Sequence, residues 1–221
     1  MRYWKPGDIF EADCPACGKT VEFYKDDTTR RCPGCGNRFT NPGMDFGCAA
    51  YCKFAAQCIG TLPKEFIARQ NNLLKERVAV EMKRLFKSNF KQIGHATRVA
   101  RHAEALGRAE GGNLSVILIT AYLHNIAADF PAETRGKESS RIARGIMEKL
   151  EAPETLVEEV CFIIEHHRVP SCATTVNFKV ICDAIVLARL EHRLKTAPEK
   201  SLPDETFLTK SAKEAARTLQ R

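Results

Sequence analysis

Two short stretches near the start of the chain, Cys14-Pro-Ala-Cys17-Gly and Cys32-Pro-Gly-Cys35-Gly, constrain its folding more than any other feature. They are separated by 14 residues. Each CxxC turn lets two thiolates converge on one ion, and the glycine that follows accommodates the tight backbone. A segment this short has too little core to fold without a staple. The spacing therefore predicts a structural zinc held tetrahedrally by Cys14, Cys17, Cys32 and Cys35, with no open coordination position. Seven of the ten cysteines fall before residue 59, and in a reducing compartment that pattern favours metal over disulfides. Short alternating pieces such as "TVEFY", set among Gly and Pro, predict small strands joined by tight turns over residues 1–45.

Residues 12–40 resemble the zinc ribbon family. The connector at 46–62 carries Cys48, Cys52 and Cys58 in "GCAAYCKFAAQCIG". On a helix, positions 48 and 52 share a face and position 58 does not. Two readings stand for these three: an iron–sulfur cluster or second zinc completed by another ligand, and buried cysteines packing against the ribbon.

After Pro63 no proline occurs until Pro131. The interval is rich in helix formers, with apolar residues at three- and four-residue steps: Leu74, Val78, Met82, Leu85 and Phe86. Breaks at 109–113, 129–134, 151–155 and 168–171 divide residues 63–197 into successive helices. Residues 198–221 form a tail in which "DETFLTKSAKEAARTL" has the composition of one more short helix. The fold class expected is mainly α, a helical domain preceded by a small β zinc ribbon.

No apolar stretch approaches the roughly 20 residues that span a bilayer, and the opening "MRYWKPGDIF" lacks the pattern of a secretory signal. The expected setting is the cytoplasm. Net charge is +7. Between Lys64 and Lys91 there are 8 basic and 3 acidic residues, a stripe that reads as a solvated helix face before it reads as a nucleic-acid surface.

Ligand-type residues interrupt the apolar runs of the helical domain. His95 opens "GHATRVARHAEAL", His124-Asn125 ends "AYLHNIA", His166-His167 lies in "IIEHHR" and Asp183 in "VICDAIVLA". A buried carboxylate is costly, and a divalent cation shared by His95, His124 and Asp183 would remove that cost. This order of a histidine, then a paired motif on a second helix, then a later aspartate resembles the HD-domain metal-dependent phosphohydrolases, over residues 88–195. The resemblance implies a divalent metal (Mn, Co, Mg, Ni, Fe or Zn) on His95, His124 and Asp183. It implies hydrolysis of a nucleotide or other small phosphate ester by a metal-bound water. His166 or His167 stands where members carry histidines near substrate and is a candidate proton donor. Arg98 and Lys137 are phosphate contacts by chemical type.

One position departs from that pattern. The family pairs His with Asp, and here His124 is followed by Asn125, whose amide oxygen can touch a metal but carries no charge. No histidine occurs between residues 125 and 165, which excludes the additional ligands of two-metal members. The sequence thus carries two functional readings: a phosphohydrolase weakened at Asn125, and an inactive ligand-binding module with the ribbon as a docking surface. Nucleic-acid binding through ribbon and basic helix is a third, weaker reading.

Overall fold

The computed structural model describes residues 8–43, 64–196 and 207–219. Cys48, Cys52 and Cys58 lie outside the described residues. The chain divides into two compact units, Met1–Asn71 and Asn72–Arg221.

The first unit contains two antiparallel hairpins. Strands β1 (Ile9–Asp13) and β2 (Thr20–Tyr24) pair so that Phe10 faces Phe23, and β3 (Thr29–Arg31) pairs with β4 (Arg38–Thr40). Each knuckle is the turn that follows a β-segment. The N–H of Gly18 donates to Cys14 O (2.8 Å) and that of Gly36 to Cys32 O (2.9 Å). Both glycines have φ near +70° (71° and 72°), a conformation that disfavours a side chain. The buried core is small: Cys14, Val21, Phe23 and Cys32, flanked by Phe10, Ala12 and Phe39.

The second unit is built from helices α1 (Lys64–Phe86, which begins in the first unit), α2 (Phe90–Glu110), α3 (Leu114–Leu123), α4 (Arg135–Lys149), α5 (Glu154–His166), α6 (Val176–Thr196) and α7 (Lys210–Leu219). The capping chemistry is legible. Asn89 Oδ1 accepts from Gln92 N at the start of α2, and Asn113 Oδ1 from Ser115 N at the start of α3. Gly111, at φ 74°, ends α2. Helix α3 is apolar on every side, and Val116 to Ala121 are all buried, because α2, α5 and α6 pack around it. Leu74, Val78 and Met82 of α1 join the same core, as the apolar spacing predicts, whereas Leu85 is 48% exposed.

Helix α7 is held at its start by two acidic side chains from other helices. Asp183 of α6 accepts hydrogen bonds from Leu208 N, Thr209 N and Thr209 Oγ1, and Glu110 of α2 accepts from Ser211 N and Ser211 Oγ. These are favourable charges at a helix N-terminus, where backbone N–H groups have no partner within the helix. No described helix is long and apolar enough to cross a membrane.

Candidate functional site

In the first unit the four thiols point at a common centre. Cys14 Sγ lies 3.7 Å from Cys35 Sγ, Cys17 Sγ lies 3.6 Å from Cys32 Sγ, and all four sulfurs lie within 4.8 Å of one another. Four sulfurs at about 2.3 Å from a tetrahedral zinc would stand roughly 3.8 Å apart, so the set fits such an ion. Burial acts to raise the Cys14 thiol, but hydrogen bonds from the backbone of Ala16 and Cys17 hold it down at about 6. The backbone of Lys19 acts to lower Cys17, yet the neighbouring Cys35 and Cys32 sulfurs push it up to about 12. Four thiolates this close need a cation to remain ionised together.

In the helical unit the apolar run of α3 ends at His124, which is 3% exposed. The ring's Nδ1 donates to Ala121 O at 2.9 Å, since a carbonyl can only accept. That fixes the tautomer and turns a lone pair of Nε2 outward, to within 3.3 Å of His95 Nε2 on α2. His167, at the end of α5, donates from Nδ1 to Ile164 O (2.8 Å) and sets its ring edge-on to His124, with centroids 5.7 Å apart. The start of α4 approaches this end of α5 closely, for a methyl placed on Gly136 would come within 2.9 Å of Glu165 O.

Burial and the local field hold all three imidazoles neutral. Desolvation, aided by Arg189 and Arg98, brings His95 down to about 4. Burial, with His167, His95 and Arg189, pushes His124 well below its ordinary value. Burial, with Arg168 and Arg189, brings His167 down to about 4 against the pull of the Ile164 carbonyl.

The other candidates lie elsewhere. His166 turns away, donating from Nδ1 to Phe162 O and stacking on the Phe162 ring at 4.6 Å. Lys137 is exposed on α4. Asn125 donates from Nδ2 to Gln92 Oε1 at 3.2 Å. Arg98 is half-buried one turn beyond His95, with its Nε buried and without a hydrogen-bond partner.

Asp183 accepts at both carboxylate oxygens, from Leu208 N at one and from Thr209 N and Oγ1 at the other. Burial acts to raise its pKa, and the three hydrogen bonds oppose this. The helix periodicity explains the direction. Cys182 meets the end of α5, its Sγ donating to the backbone carbonyl of His167 at 3.4 Å. Asp183, about 100° further round α6, faces α7 instead.

This donor set does not fit a hard divalent cation. Among the described residues only the four ribbon cysteines bring three or more ligand atoms within 4.8 Å of one another. The helical site offers three neutral imidazoles and, among the described residues, no carboxylate gathered with them. The residue that sequence reasoning missed is Arg189, which bears on all three histidines. Its signal was a lone guanidinium inside "AIVLARL", seven residues beyond Cys182 and so on the same helix face.

Comparison with known proteins agrees with this architecture. Residues 93–205 match the HD domain family. A solved structure described as a predicted HD superfamily hydrolase from an uncultured Thermotogales bacterium aligns with a TM-score of 0.53 at 25% identity, covering 65% of this chain and 83% of that one. None of the curated proteins compared matches the chain.

Proposed function

Because the chain belongs to the HD domain family, we propose that its helical unit keeps that family's pocket as a receptor for a phosphate-bearing small molecule, a nucleotide or other phosphate ester, without metal-dependent turnover. One observation carries this reading: the carboxylate expected to anchor a cation, Asp183, is committed to the start of α7. Asn125 points the same way, with its amide bonded to Gln92. Arg98 and Arg168 lie close in sequence to His95 and His167, and guanidinium groups bind anions. The ribbon is assigned a structural zinc, supported by the sulfur separations of 3.6 and 3.7 Å.

A second reading, metal-dependent phosphohydrolase, is favoured by the 3.3 Å between His95 Nε2 and His124 Nε2. Two nitrogens on a tetrahedral zinc at 2.0–2.1 Å would stand about 3.3 Å apart. A hydrogen bond from a protonated His95 Nε2 to the His124 lone pair accounts for the same distance without metal. Calorimetric titration with nucleoside monophosphates, beside a phosphate-release assay with manganese, cobalt, magnesium or nickel, separates the readings. Binding with no metal-stimulated release is expected. Metal-stimulated release would establish the hydrolase reading, and absence of binding under every condition would remove the receptor.

A further inference from the structure

We propose that the corner between α1 and α2 docks the protein reversibly on an anionic lipid surface, with Phe90 and Leu85 entering the headgroup layer and the lysines and arginine around them meeting lipid phosphates. The inference uses none of the pocket's residues and stands apart from the receptor reading.

The charge of this corner has one sign. From Met82 to Ala103 the chain carries six Lys and Arg and no Asp or Glu. Four of these cations, Lys83, Arg84, Lys87 and Lys91, fall at the end of α1, in the turn and at the start of α2, and all four are exposed. Arg84 pairs with Glu81 at 3.3 Å, the last acid before the stretch. Lys83, Lys87 and Lys91 form no ion pair among the described residues. Two of these lysines stand where the local backbone disfavours them. Lys87 follows α1 at φ 48°, a region that glycine enters with less strain. Lys91 lies in the first turn of α2, which holds no acid, so its charge faces the positive end of the helix. An anionic surface offsets that repulsion.

The same corner carries exposed apolar surface. Phe90 is 78% exposed, the highest value among the large apolar side chains described, and Leu85 is 48% exposed. Asn89 N donates to Phe86 O at 2.8 Å, and this tight turn keeps Leu85 and Phe90 on one corner. Their neighbours Phe86 and Ile93 pack against the helical core and anchor the corner to the domain.

Charge and shape together select the partner. A peptide or small anion is held in a concave site, whereas a ring this exposed has no groove around it. A bilayer surface is broad and negatively charged, and it turns apolar within about 5–10 Å, so it accepts a protruding ring and gathers the cations beside it. Nucleic acid offers phosphates and a base to stack on Phe90, but nothing for a leucine. No described helix is long and apolar enough to cross a membrane, so the contact is peripheral. One ring, one leucine and four charges give reversible binding.

The test floats the full chain, carrying one zinc by metal analysis, with vesicles of phosphatidylcholine alone and of phosphatidylcholine with phosphatidylserine at about 7:3. Binding is expected on the mixed vesicles and not on the neutral ones, and it should weaken as salt is added. Lys87→Ala and Lys91→Ala should each weaken it about fivefold. Phe90→Ala should weaken it about tenfold, and Phe90→Leu should recover most of that loss, because insertion needs apolar surface and not a ring. Lys213→Ala with Arg217→Ala removes two exposed cations from α7 and should change the affinity by no more than about twofold. No binding to mixed vesicles would overturn the proposal. An equal loss in the α7 variant would also overturn it, by showing attraction to net charge alone. Tighter binding to a single-stranded oligonucleotide, abolished in Phe90→Leu, would replace the lipid surface with nucleic acid.

Discussion

Replacing Asp183 with asparagine separates its two assigned roles. The substitution keeps the shape and one acceptor oxygen, but puts an NH2 where Thr209 N–H and Thr209 Oγ1 now donate at 2.8 and 2.7 Å. Leu208 N retains its acceptor at the other oxygen. The threonine hydroxyl can rotate to accept from the new amide, so the net loss is one buried backbone N–H bonded to a charged group. Such a loss costs about 1.5–3 kcal/mol. For a domain of this size each 1 kcal/mol shifts Tm by roughly 2–4 °C, so Asp183→Asn should melt about 3–12 °C lower. The assay is urea and thermal unfolding together with hydrogen exchange, in which amides of Lys210–Leu219 should lose protection first. Unchanged stability and unchanged exchange in that helix, with a fall in metal content or AMP affinity instead, would refute the assignment of Asp183 to α7.

Three further outcomes follow from the same geometry. Cys32→Ser should release the ribbon's metal and erase amide protection over residues 8–43, while the helical unit keeps its own unfolding transition; chelation that leaves ribbon exchange unchanged would contradict the zinc assignment. Asn125→Asp alone restores one carboxylate while Asp183 stays bonded to Leu208 and Thr209, so it should give neither a second metal nor manganese-stimulated phosphate release on a panel of nucleotides and generic esters. The histidine cluster sets an acid limit. His95 and His167 sit at about 4 when folded against an ordinary 6.5, so the unfolded chain binds more protons in that interval. Their stabilisation is fully present above about 6.5 and is lost as pH falls towards 4. His124 acts in the same direction, and in His124→Gln the urea midpoint should depend on pH in this window by about one proton less.

Much of the architecture is local and was therefore legible along the chain. The CxxC-Gly spacing specifies a four-thiol centre because turn geometry and sulfur reach involve only neighbouring residues. Apolar spacing through Leu74, Val78 and Met82, with breaks at Gly111 and Pro131, specifies helices because period and capping are also short-range. The order of His95, His124 and Asp183 pointed to the HD domain fold for the same reason. Which side chains meet across that fold was decided only by the tertiary structure. Cys182 and Asp183 are adjacent on one helix, and about 100° of rotation sends the carboxylate to the start of α7 and the thiol to the backbone of His167. His166 and His167 are adjacent in sequence, yet one stacks on Phe162 and the other faces His124. A motif records residue types and order; the direction of each side chain depends on the helix packing around α3, which brings together residues far apart in the chain.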